Sequence, residues 1–317
     1  MKRKADTPCA FTTSDSWVIL SPIERSIKRK IEAVGTPLKE WNVNIYRGVL
    51  TGCNGHPERD EGVFIISERQ RDTILSWCKD EAERARTELI IRPILRGRDI
   101  KRYGYEWAHL YLITTFPSLH LDIEDYPAIK KHLLSFGKER LEQTGKEHII
   151  NGVHIKSRKK SNNKWFETQD TIGYWDDFSK PKIVWADLAR TGNAFIYDEA
   201  GFTTPNTTYL IASEDASMLK YLVGLLNSKT ILRYLDWMSA KLDETGWRWF
   251  KQYVEQFPIP VVEKSIQAKI IALVDRIFAA KVNASSADTS TLEAEINTFV
   301  YQLYGFVDEE IAFVEAM

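Results

Sequence analysis

The sequence predicts an α/β (α+β) protein, with a mixed twisted sheet, flanking helices and a C-terminal antiparallel helical pair. Three observations carry this. Between residues 41 and 211 many apolar residues come in short, β-branched runs separated by turns rich in Gly, Asp, Asn and Pro, the grammar of strands. Over 219–237, 263–283 and 292–304 they instead recur at helical spacing. A chain of 317 residues with 44% apolar content has material for a sizeable core, as one large domain or two.

Taken in order, residues 1–16 read as a flexible leader. Ser21-Pro22-Ile23-Glu24 starts a helix, with Ser21 as N-cap, Pro22 in the first turn and Glu24 completing a capping box. Ile23, Ile27, Ile31 and Val34 share one face, and Gly35 and Pro37 end it. Residues 41–50 read as a strand running into the turn Thr51-Gly52-Cys53-Asn54-Gly55, with 64–66 as its partner and a helix over 68–79. Leu89, Ile90, Ile91, Ile94 and Leu95, interrupted by Pro93, read as a buried strand or strand end. A strand over 108–115 and a helix over 125–136 follow, and Asn151-Gly152 marks a tight turn. Strands over 182–185, 194–197 and 203–211 lead to a helix over 219–237, then to the two C-terminal helices. The expected divisions are 1–40, 41–262 and 263–317.

Net charge is −1, yet it is unevenly spread. Residues 288–317 carry seven acids and no Lys or Arg, so that −7 leaves +6 for residues 1–287. Residues 84–102 hold seven cations against two anions, and 138–164 hold eight against three. A near-neutral total thus hides a basic face that would steer a polyanion. In the first segment Arg96, Arg98, Lys101 and Arg102 surround Gly97, whose missing side chain permits a tight turn or close approach. Guanidinium groups there would grip phosphate or the edge of guanine, the alternative being a solvated loop whose charges pair with neighbours. In the second, Arg158, Lys159, Lys160, Asn162, Asn163 and Lys164 precede Trp165 and Phe166, combining cations, amides and aromatics as groove-reading surfaces do. A charged hairpin tip with Trp165 in the core is the alternative. Arg47 and Asn54, beside turn glycines, and Arg248 complete the candidate DNA contacts.

The run Arg96-Gly97-Arg98-Asp99-Ile100-Lys101-Arg102-Tyr103 resembles the signature of the TaqI-like C-terminal specificity domain. This is the target-recognition domain of type IIG restriction–modification enzymes and related adenine-specific DNA methyltransferases. Other pieces resemble the same family in the same order: Ile45-Tyr46-Arg47-Gly48-Val49-Leu50-Thr51-Gly52, Asp125-Tyr126-Pro127-Ala128, Lys180-Pro181-Lys182-Ile183-Val184-Trp185, Tyr221-Leu222-Val223-Gly224-Leu225-Leu226-Asn227-Ser228 and Arg248-Trp249-Phe250-Lys251. The resemblance spans about 41–260. It implies a linker helix before a DNA-recognition domain, double-stranded DNA as ligand, and a methyltransferase or endonuclease domain or subunit as partner. The helical pair resembles the spacer helices of type I specificity subunits.

Several absences narrow the expectation. The chain has no Asn/Asp-Pro-Pro-Tyr/Phe motif and no Gly-rich strand-to-helix turn for S-adenosylmethionine. No cofactor is expected here, S-adenosylmethionine and magnesium belonging to partner catalytic domains, and no catalytic or metal-binding residue is assigned. Cys9, Cys53 and Cys78 lack paired spacing, which argues against a disulfide framework or zinc site and fits a cytoplasmic protein. No apolar stretch is long enough to span a bilayer. Two alternatives stay open: a metal-dependent nuclease built on Asp99-Ile100-Lys101, and a protein-interaction remnant that does not bind DNA.

Overall fold

The computed structural model describes residues 20–53, 62–150, 152–189, 194–238, 241–243 and 246–316. Helix α1 (Pro22–Val34) begins with the expected capping box and buries Ile27 and Ile31. Strands β1 (Gly35–Pro37) and β2 (Asn44–Arg47) follow, then β3 (Ile65–Ser67), α2 (Glu68–Ser76), α3 (Glu81–Leu89) and β4 (Ile91–Pro93). The basic turn leads into β5 (Ile100–Lys101), β6 (Gly104–Tyr105) and β7 (Leu110–Ile113). Helices α4 (Pro127–Leu134) and α5 (Lys138–Leu141) precede a hairpin of β8 (Glu147–Ile150) and β9 (Val153–Lys156). Beyond it come β10 (Lys182–Ala186), β11 (Leu188–Ala189), β12 (Phe195–Asp198), β13 (Thr208–Ala212), α6 (Ala216–Leu226) and α7 (Lys229–Met238). The chain closes with β14 (Lys241–Asp243), β15 (Gly246–Arg248), α8 (Lys251–Val254), β16 (Pro258–Pro260), α9 (Lys264–Asn283), α10 (Ser290–Tyr304) and α11 (Asp308–Glu315).

A four-stranded antiparallel sheet, ordered β12-β10-β13-β2, forms the spine. Side chains alternate between the faces of a strand, and here both faces are covered. Ile45, Ile183, Trp185, Phe195, Tyr209 and Ile211 join a core built with α1, α6, α7, α9 and α10. Val184, Ile196, Leu210 and Ala212 join a second core, with the three-stranded sheet β3-β7-β4 and helices α2 and α4. The α/β expectation holds. Among the described residues the strand ladders are all antiparallel, and the parallel pairings are the isolated bridges Val49 to Pro205 and Ile94 to Thr203.

Two expectations of pairing and extent are corrected. Residues 64–66 do not pair with the strand at 41–50, because β3 pairs with β7. Strand β2 has β13 on one side, and on the other Tyr174 stacks on Tyr46 and donates its hydroxyl to the Arg47 carbonyl. Residues 219–237 are two helices rather than one. The break at Asn227 serves the sheet: its amide accepts from Phe195 N at 3.0 Å and donates to Phe195 O at 2.8 Å, standing in for a neighbouring strand. Gly224 lets α6 approach α9 closely, since a Cβ there would fall 2.7 Å from Ile270 Cγ2.

The C-terminal helices share the first core, and three acids of the last thirty residues pair with cations elsewhere: Glu293 with Arg102, Glu310 with Lys30 and Glu315 with Lys229. Burial alone would raise the Glu310 carboxyl, but hydrogen bonds from Lys30, Val307 and Ser26 hold it below the usual carboxylate range.

Asn227→Ala strands both backbone groups of buried Phe195. The expected loss is about 2–3 kcal/mol in urea unfolding; an unchanged midpoint would show that the edge of β12 needs no such partner.

Candidate nucleic-acid interface

A sheet covered on both faces leaves its strand ends and their loops for a ligand. At one end the chain leaves β2 at Arg47, leaves β10 at Asp187 and enters β13 at Thr208. The basic turn packs against this end, because a Cβ on Gly97 would meet Ala186 Cβ at 3.1 Å and Thr207 O at 3.5 Å.

The turn is locked from within. Asp99 is buried, and its carboxylate accepts from Arg96 N at 2.9 Å, Arg96 Nε at 3.0 Å and Arg96 Nη2 at 2.7 Å. Arg102 reaches the Glu293 carboxylate and the Asn227 carbonyl, and Tyr103 is buried in the first core. Arg98 and Lys101 point out, both exposed. Lys101 lies 3.5 Å from Glu106, whereas the Arg98 guanidinium has no ion pair or hydrogen bond among the described residues.

Arg47 is exposed, donates to Asn206 O at 2.7 Å and lies 5.8 Å from the Tyr209 ring. Arg248, on β15, lies 5.4 Å from the Phe250 ring. Between their fields sits Asp187: burial raises its carboxyl, and Arg248 and Arg47 oppose that rise. An open cleft of about 460 Å³ beside them is lined by Arg47, Tyr209, Phe250, Lys251, Gln252 and Glu255. Sequence reasoning missed Asp187, whose only signal was its place just past the apolar run of β10.

The second basic segment divides in two. Arg158 is 5% exposed, and its guanidinium donates to four carbonyls, Leu141 at 2.8 Å, Thr51 at 3.0 Å, Glu167 at 2.7 Å and Trp165 at 2.7 Å. Burial pulls its pKa down to about 10, so it stays charged at neutral pH. Its expected role as a DNA contact is corrected: it is an internal strut. Asn163 likewise donates to Thr168 O and Gln169 O. Lys159, Lys160, Asn162 and Lys164 are exposed; Lys164 reaches Leu121 O at 3.4 Å, and the side chains of the other three have no hydrogen bond or ion pair among the described residues. Asn54 lies outside the described residues.

The nuclease alternative fares poorly on geometry, since both Asp99 oxygens are committed to Arg96. Among the described residues no group of three or more His, Cys, Asp or Glu could hold a metal, and no helix is long and apolar enough to cross a membrane.

A family model described as the TaqI-like C-terminal specificity domain matches residues 92–259, more than half of the chain. The chain belongs to this family. The matched span runs from β4 to β16, and β2 completes the central sheet of the specificity domain from outside it. Among solved structures, the type IIL restriction–modification enzyme MmeI in complex with DNA is similar in fold, with a TM-score of 0.57 and 14% identity, over 89% of this chain and 36% of its own. The type IIG restriction endonuclease BpuSI matches over 90% of this chain and 33% of its own, with a TM-score of 0.46 and 10% identity. The chain thus spans about a third of the length of those two chains.

The two kinds of cation should separate in unfolding experiments. Arg158→Met leaves four buried carbonyls without a donor and is expected to cost about 3 kcal/mol or more. Lys159→Ala and Lys160→Ala should each stay within about 0.5 kcal/mol of wild type. Equal urea midpoints for all three variants would contradict the division.

Proposed function

We propose that this specificity domain selects a short sequence of duplex DNA and presents it to a methyltransferase or endonuclease domain or subunit of a restriction–modification enzyme. The observation that carries the reading is the gathering of Arg47, Arg98 and Arg248 around one end of a sheet whose faces are closed. Arg98 is best suited to read a base. Its backbone is fixed by the Arg96/Asp99 lock and by Gly97 against Ala186, while its guanidinium is free for the O6 and N7 of guanine. Lys159 and Lys160 suit phosphates, which position the duplex without specifying sequence. Adenine methylation with base flipping would be the partner's chemistry, and S-adenosylmethionine and magnesium its cofactors. Residues 263–317 would serve that partner as a spacer or docking element, and the whole would work in the cytoplasm.

Duplex affinity should fall steeply with salt, since neutralised phosphates release counterions. Arg98→Ala should cost about 1–3 kcal/mol on the preferred site and much less on random DNA. The double variant Lys159→Ala/Lys160→Ala should weaken both equally and reduce the salt slope by about 1 per lost contact. Equal losses for Arg98→Ala on both duplexes would demote it to a phosphate clamp, and no binding at low salt would end the DNA reading. Asp99→Asn does not isolate a nuclease activity, because it also unlocks Arg96.

A further inference from the structure

The hairpin of β8 and β9 gives one whole face to solvent. Its cross-strand partners are Glu147 with Lys156 and Ile149 with His154 on that face, and His148 with Ile155 and Ile150 with Val153 on the other. All four residues of the first face are exposed, Ile149 by 69%. On the second face His148, Ile150 and Ile155 are half-buried. The side chains of Glu147, His154 and Lys156 make no hydrogen bond or ion pair among the described residues.

An isolated two-stranded hairpin is marginal in water, and this one is anchored at its root. Ser157 donates to Lys146 O from both N and Oγ, Gly145 N donates to Arg158 O, and Arg158 N donates to Glu142 O. The Arg158 strut ties that root to the loop after β2 through Thr51 O. A rigid root thus carries an exposed blade, with Lys146, Lys159 and Lys160 exposed beside it. These cations favour a polyanion over an apolar protein surface, and a two-stranded ribbon fits the width of the major groove.

We propose that the β8/β9 hairpin is a reading ribbon that lies in the major groove with Glu147, Ile149, His154 and Lys156 toward the base edges. This rests on the DNA-recognition reading above. Glu147 would accept from the amino group of cytosine, Ile149 would pack on a thymine methyl, and His154 and Lys156 would meet guanine acceptors. Lys159 and Lys160 hold the neighbouring phosphates.

The test uses the full chain and a pool of randomised duplexes. Wild type should enrich a defined sequence. The double variant Glu147→Ala/His154→Ala should lose base preference at adjacent positions while keeping its affinity for random duplex within about twofold, as expected when no phosphate contact is removed. Enrichment of the same sequence by both proteins overturns the ribbon and leaves the recognition reading standing. A collapse of random-duplex binding in the variant also overturns it, making the hairpin a phosphate clamp. No enrichment by wild type ends both. A second variant checks the apolar contact: replacing thymine by uracil in the selected site should weaken wild type at one position and leave Ile149→Ser unaffected, whereas equal sensitivity contradicts the placement of Ile149.

Discussion

Burial of both faces of one sheet constrains everything else in this molecule. In β10 and β13 nearly every side chain is buried, with alternate residues feeding different cores. A charge inside such a sheet must find its partner there. Lys182 and Asp198 stand opposite each other in the ladder, both buried, with Nζ 2.5 Å from the carboxylate and 2.6 Å from Phe178 O. Asp198 also accepts from Ala200 N and Phe202 N, shaping the chain that returns to Thr203. Thr203 in turn bonds Pro93 O and receives Leu95 N, which seats the approach to the basic turn. A buried ion pair is thus linked, through backbone hydrogen bonds, to the placement of Arg98.

The same constraint sorts the cations. Those that brace loops and helix ends, Arg96, Arg102 and Arg158, find acceptors within the chain. Arg47 and Arg248 are held beside aromatic rings at the strand ends, and Arg98, Lys159 and Lys160 face water without partners among the described residues. A basic composition therefore overstates the surface open to a polyanion. The near-neutral total understates it, because seven acids and no Lys or Arg lie in residues 288–317, apart from the basic loops.

How far the sequence was legible follows from the range of each interaction. The capping box of α1 involves residues three apart, so it could be read directly. The β-branched runs marked where strands lie, but not that β3 would choose β7, a pairing across more than forty residues. The break at Asn227 hid inside a continuous apolar pattern, because its cause is the edge of a distant strand. Arg158 looked like a DNA contact among its basic neighbours, and its acceptors come from residues 51, 141, 165 and 167, which only folding assembles. The Arg96/Asp99 lock was within reach, since an Arg and an Asp three apart across a glycine turn are spaced to pair. The glycine pointed to a turn; the lock turns Arg96 inward, while Glu293 and the Asn227 carbonyl hold Arg102.

Hydrogen exchange of the full chain, with and without a duplex enriched from random sequence, tests most directly the claim that the sheet end and its basic loops form the DNA face. Slowed exchange concentrated in residues 97–102, 147–164 and 246–249, with α9 and α10 unchanged, is the predicted result. Protection confined to 264–316, with those loops unaffected, would place the DNA on the helical side and contradict it.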